Sequence, residues 1–141
     1  MNYLGIDYGT RRIGLSVGDD TLRFAVPIAA IKVNAFDNGI AQIATIVKLR
    51  QIQKMIVGYP LNMDGSIGPK AKEIDRFIVL LEKEIGIPAE RMDERLTTAA
   101  VGDLRQRSPK NRRNMRQKGT VDSAAATLIL QDYFDTLEYS A

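Results

Sequence analysis

The side chains able to do chemistry in this sequence are carboxylates. Its 141 residues include no histidine and no cysteine, which removes thiol nucleophiles, Ser-His-Asp and Cys-His arrangements, disulfides and the usual zinc and haem ligands. Acid–base or metal work is left to carboxylate, lysine and tyrosine, and hard oxygen ligands select Mg²⁺, Mn²⁺ or Ca²⁺ over zinc or copper. Asp7 closes the apolar run Asn2-Tyr3-Leu4-Gly5-Ile6 and precedes the turn Tyr8-Gly9-Thr10. A carboxylate there needs a cation, hydrogen-bond donors or water to offset its desolvation, and backbone N–H groups of the turn would satisfy it as well as a metal would. Asp93-Glu94 repeats the arrangement after another short run. Neighbouring strand residues point to opposite faces, so only one of those two reaches a given site. Asp122 opens the last helical pattern, where complementing the macrodipole is by itself worth about 0.3–1 kcal/mol. Each acid alone has an ordinary structural use. Gathered at one sheet edge by strand ends and a helix terminus, they would form an oxygen set for one or two hard dications. Asp19, Asp20 and Asp64 fall among turn residues and read as solvated loop charge.

A basic stretch precedes Asp122. Arg105, Arg107, Lys110, Arg112, Arg113, Arg116 and Lys118 occur with no intervening acid, broken by Ser108-Pro109 and Asn111. Such a run is commonly a solvated loop, and here it also stands where it could neutralise phosphates beside the carboxylates. No aromatic residue is interleaved, so backbone contact is expected rather than base stacking. The net charge of +3 points toward an anionic partner without requiring one.

The elements that must position these groups follow from periodicity. Residues 2–7 read as a buried strand running into a glycine turn. From residue 12, Ile13, Leu15 and Val17 alternate with Gly14, Ser16 and Gly18, a period of two that ends at the Asp19-Asp20 turn. A third run over 23–33 contains Pro27, which predicts an edge position or a bulge. These three make an antiparallel meander. Ile40, Ile43, Ala44 and Val47 give helical spacing over 37–51, and 54–58 is the next strand, followed by a turn-rich loop over 59–66. Pro69 suits the first turn of a helix whose buried face is Ala71, Ile74, Phe77, Ile78, Leu81 and Ile85. Gly86 and Pro88 stop it before a short strand at 89–93; Thr97 or Thr98 would cap a helix reaching about residue 107. A last helix over 120–137 would bury Val121, Ala125, Leu128, Ile129 and Tyr133. Strands followed by alternating helices and strands imply an α/β protein, a mixed sheet covered by helices.

Four stretches carry a resemblance. They are Gly5-Ile6-Asp7-Tyr8-Gly9-Thr10-Arg11-Arg12-Ile13-Gly14, Val57-Gly58-Tyr59-Pro60-Leu61-Asn62-Met63-Asp64-Gly65, Asp93-Glu94-Arg95-Leu96-Thr97-Thr98 and Lys118-Gly119-Thr120-Val121-Asp122-Ser123-Ala124-Ala125. In this order, and across essentially the whole chain, the sequence resembles the YqgF (RuvX) family of bacteria. The resemblance implies one RNase H-like domain over residues 1–141, a five-stranded mixed sheet with three antiparallel strands then parallel ones, flanked by helices. It also implies a nuclease related to Holliday-junction resolvases and acting in 5′-end maturation of pre-16S rRNA during ribosome biogenesis, although a fold alone does not establish an activity. Matched motif by motif, the catalytic acids and metal ligands are Asp7, Glu94 and Asp122, with Asn62 and Arg95 on the substrate side or supporting the ligands.

The expected mechanism is metal-assisted hydrolysis of a phosphodiester. Asp7 would bridge two Mg²⁺ or Mn²⁺ ions about 3.5–4 Å apart, Glu94 and Asp122 would complete their ligand sets, and water would attack in line. Arg11, Arg12, Arg95, Arg112, Arg113, Arg116 and Lys118 would hold the nucleic-acid backbone, with structured RNA the first substrate and branched DNA the second. A four-way-junction resolvase is the alternative; it requires two sites related by a twofold axis, and the sequence displays no dimer interface. An RNA-binding maturation module without turnover is an alternative of another class and leaves the acids unused. The opening motif also resembles the phosphate-binding start of the actin and sugar-kinase superfamily, whose two lobes exceed 141 residues. No apolar run approaches the roughly 20 residues needed to span a bilayer, and the opening residues lack a basic, signal-type segment. A cytoplasmic protein without a membrane partner is therefore expected.

Overall fold

The computed structural model describes residues 1–34, 37–94 and 121–139. Strands β1 (Asn2–Asp7), β2 (Arg12–Asp19) and β3 (Val26–Lys32) lead to α1 (Ile40–Leu49), β4 (Lys54–Tyr59), α2 (Pro69–Ile85) and β5 (Ala89–Asp93). A 3₁₀ turn (Val121–Ser123) then opens α3 (Ala124–Tyr139). The strands form one sheet in the order β3-β2-β1-β4-β5. The pairs β1–β2 and β2–β3 are antiparallel, and β1–β4 and β4–β5 are parallel, which is the mixed sheet expected. The helix expected between β5 and residue 107 lies outside the described residues.

β1 is central because both of its faces are covered. Leu4 and Ile6 pack with Ile13, Leu15, Met55 and Val57 against Ile43 of α1 and Ile74, Ile78 and Leu81 of α2. On the other face Tyr3, Ile56 and Met92 meet Ile129, Leu130, Tyr133 and Phe134 of α3. A strand buried on both sides reads as a continuous apolar run rather than an alternating one, and β1 and β4 do so. Each such side chain contributes about 1.5–3 kcal/mol by leaving water. The Phe134 ring stands edge-on to Tyr3 with centroids 5.4 Å apart, and Ser16, buried beneath α3, donates to the Ala126 carbonyl at 2.7 Å.

Two helices depart in detail from expectation, while Pro27 falls as expected. The helix predicted over 37–51 begins at Ile40, because Asp37 and Asn38 use their side chains to accept the N–H groups of Gly39 and Ile40 at 2.9 and 3.2 Å. α3 buries Ala126, Ile129, Leu130, Tyr133 and Phe134, whereas Ala125 and Leu128, expected on that face, are half-buried. Its first turn is 3₁₀, so an α-helical period counted from residue 121 runs out of phase. Pro27 lies on β3, an edge strand, and a register shift separates Ile13↔Ile31 from Leu15↔Ile28.

Candidate active site

The parallel strands β1, β4 and β5 end at one edge of the sheet, the edge at which open α/β sheets bind ligands. Asp7 is the last residue of β1 and Asp93 the last of β5, with Glu94 next. Alternation puts Asp7 on the face of Tyr3, beneath α3, and Glu94 on the same face through Met92. Asp93, paired in register with Tyr59, turns to the opposite face. Of the two adjacent acids, Glu94 is therefore the one that shares a face with Asp7. Gly58, on the strand between them, leaves room for this: a Cβ there would lie 2.5 Å from Glu94 Oε1 and 2.5 Å from Ile129 Cδ1.

Asp7 and Glu94 are half-buried, and both carboxyl groups titrate above the ordinary carboxylate range. Burial raises Asp7, against the opposing charge of Lys70. Burial also leads for Glu94, followed by the negative charge of Asp7; Lys70 opposes the rise, and Asp93 adds to it. Two carboxylates thus repel one another in a partly dehydrated setting, with one exposed lysine serving both. Sequence reasoning does not single out Lys70. The signal it offers is a lysine immediately after Pro69 in the first turn of α2, where a cation opposes the helix dipole and so calls for a compensating acid.

Asp122 is carried by the 3₁₀ turn, and that turn is pinned to the sheet by its neighbour. The Leu15 N–H donates to Ser123 Oγ at 3.0 Å, and the Ser123 hydroxyl donates to the Ile28 carbonyl at 2.6 Å. A buried side chain thereby bridges β2 and β3 at their register shift. Gly14, the cross-strand partner of Asp7, admits the turn: a Cβ at Gly14 would lie 2.5 Å from the Asp122 carbonyl oxygen. The backbone of Asp122 is consequently next to the strand position facing Asp7. Its carboxylate is engaged elsewhere, in an ion pair with Arg12 Nη1. Among the described residues no three acids stand close enough to hold one ion. Asp7 and Glu94 face one another's charge, with Asp122 alongside and in contact with the guanidinium that opens β2.

Arg12 accordingly contacts an acid. Arg11 is exposed, and its carbonyl accepts the Val33 N–H at 2.9 Å. Asn62 closes its own loop, donating from Nδ2 to Ser66 Oγ at 2.9 Å while its carbonyl accepts the Gly65 N–H at 2.8 Å. Arg95, Arg112, Arg113, Arg116 and Lys118 lie outside the described residues. A residue unassigned by sequence also borders the site. Tyr8 donates to Glu73 at 3.0 Å and packs on Phe77 with ring centroids 4.5 Å apart, which ties the turn after Asp7 to α2.

The donor set suits a hard dication. Both Asp7 and Glu94 offer only oxygen acceptors once ionised, and a divalent charge between them would relieve both the burial cost and their repulsion.

A family model described as "RuvX: Holliday junction resolvase" matches residues 1–136. A protein of Opitutus terrae named "Putative pre-16S rRNA nuclease" is 42% identical over 137 residues, covering 96% of this chain and 92% of that protein. Another of the same name, from Syntrophus aciditrophicus, is 37% identical over 140 residues, covering 97% and 90%. Among solved structures, Thermus thermophilus RuvC in complex with a Holliday junction substrate superposes with a TM-score of 0.58 at 14% identity, covering 97% of this chain and 96% of that one. The fowlpox virus Holliday junction resolvase gives 0.56 at 16% identity, covering 97% and 99%. At such identities the likeness is one of fold, and that fold is RNase H-like. No helix among the described residues is long and apolar enough to cross a membrane.

Proposed function

Because the chain belongs to the RuvX family, we propose that it is a cytoplasmic phosphodiesterase that uses Mg²⁺ or Mn²⁺ and trims structured RNA, with the precursor of 16S rRNA as its substrate. The observation that carries this reading is the pairing of Asp7 with Glu94 on one face at the C-terminal edge of the parallel strands, with the Asp122 turn beside them. The names of the relatives supply the RNA substrate. Asp7 and Glu94 would hold the metal, and Asp122 would join them from the 3₁₀ turn. A dication held there supplies Lewis acidity at the phosphoryl group and acidifies water at neutral pH.

The remaining work falls to the chain's own groups. Asp7 and Glu94 would hold the dication at the sheet edge and would repel the phosphate without it. Lys70 offsets negative charge on that side, and Arg11, Arg12, Arg95 and the basic run over 105–118 hold flanking phosphates. These contacts are made to the backbone, so they set position and leave sequence choice to RNA shape.

The test is cleavage of a 16S rRNA precursor fragment by the purified chain with Mn²⁺, with Mg²⁺ and with EDTA, alongside Asp7→Asn. Metal-dependent cutting that Asp7→Asn reduces by about 100-fold or more supports the reading. Cutting that survives EDTA or this substitution overturns it. Resolution of a four-way DNA junction is the second reading, favoured by the description of the family model. Preference for the junction over the RNA in the same assay would select it.

A further inference from the structure

The ion pair between Arg12 and Asp122 joins two groups that the proposed reaction needs separately, one for phosphate and one for metal. The two residues stand 110 positions apart in sequence. The backbone of Asp122 is fixed by the Ser123 hydroxyl between Leu15 and Ile28 and by close contact with Gly14, so only its side chain is free to reorient. The paired side chains are 53% and 38% exposed. A phosphate can therefore reach the guanidinium, and a pair this exposed contributes little to stability and is readily exchanged. Glu94, meanwhile, lies over Gly58 on the sheet face that Asp7 shares.

We infer that Arg12 is a positioning residue with two alternative partners: it holds the Asp122 carboxylate away from Asp7 and Glu94 in the free protein and releases it when a nucleic-acid phosphate takes its place. This rests on the phosphodiesterase reading above. The third acid then becomes available to metal only when substrate is present. Cation and nucleic acid are in consequence bound cooperatively, and by linkage each tightens the other by the same factor.

The test measures Mn²⁺ binding by calorimetry on the full chain without nucleic acid. Arg12→Gln should bind Mn²⁺ at least about fivefold more tightly than the unaltered protein, and adding Asp122→Asn to that variant should abolish the gain. Arg12→Lys, which keeps the charge, should behave as the unaltered chain does. Arg12→Ala, which also removes the charge, carries the test if Arg12→Gln does not fold. Unchanged or weaker binding in Arg12→Gln overturns the inference, as does a gain that persists without Asp122. So does an Asp122→Asn protein that loses as much affinity as Asp7→Asn. If Asp7→Asn binds Mn²⁺ as well as the unaltered chain, the metal reading itself fails. If Asp7→Asn weakens binding and Arg12→Gln does not strengthen it, only the role of Arg12 fails.

Discussion

Asp7 and Glu94 are held in a setting that favours their protons. In both, burial lifts the carboxyl pKa above its ordinary value, and for Glu94 the neighbouring charge of Asp7 adds to the rise. The folded protein then binds protons that the unfolded chain has already lost. Stability linked to these groups is fully present below the ordinary carboxylate range and is lost as pH rises through their raised folded values. In EDTA, the melting temperature of the unaltered protein is expected to fall as pH rises from the ordinary carboxylate range through those values. Asp7→Asn should flatten that fall, because it keeps the shape and removes a buried charge. Millimolar Mn²⁺ should restore the lost stability, since a ligand of the folded state stabilises it by mass action. A thermal unfolding series across pH, with and without the cation, checks all three outcomes. Lys70→Met should deepen the pH dependence, because it removes the cation that opposes both shifts.

The elements place these residues with different degrees of legibility. The parallel strands could be read directly: residues 2–7, 54–58 and 89–93 from the sequence correspond to Asn2–Asp7, Lys54–Tyr59 and Ala89–Asp93. Burial on both faces leaves a continuous apolar run in β1 and β4, and the stop signals Gly86 and Pro88 mark the start of β5. The attachment of the last helix could not be read this way. Its opening turn is 3₁₀, and the Ser123 hydroxyl bridges strands that lie far away in sequence. Nothing in the local pattern around Ser123 reports a register shift between β2 and β3. The same distance hides the pairing of Arg12 with Asp122. Ser123→Ala should cost about 1–3 kcal/mol, because the Leu15 N–H and the Ile28 carbonyl lose their partner in the interior. Urea unfolding measures it. Gly58→Ala is expected to cost about 1–3 kcal/mol by overpacking, and to depress cleavage because the added methyl occupies the space of Glu94 Oε1 and Ile129 Cδ1.

At the scale of the whole molecule, a half-buried acidic pair is embedded in a chain that is cationic overall, with 20 Lys and Arg against 17 Asp and Glu. A polyanion is attracted by the net positive charge and repelled by the acidic pair. Replacing Arg112, Arg113 and Arg116 together by Gln should weaken RNA binding and reduce its dependence on salt, with the slope of log affinity against log salt falling in proportion to the phosphate contacts removed. Fluorescence anisotropy at several salt concentrations measures this, and an unchanged slope would exclude the run from the interface. The two borders of the sheet also have a consequence for behaviour at high concentration. Pro27 deprives β3 of one N–H, and β5 is only five residues long with Glu90 and Arg91 exposed. Edges so interrupted and so charged are poor templates for another chain, so the protein should resist fibril formation and remain dispersed even where it is crowded.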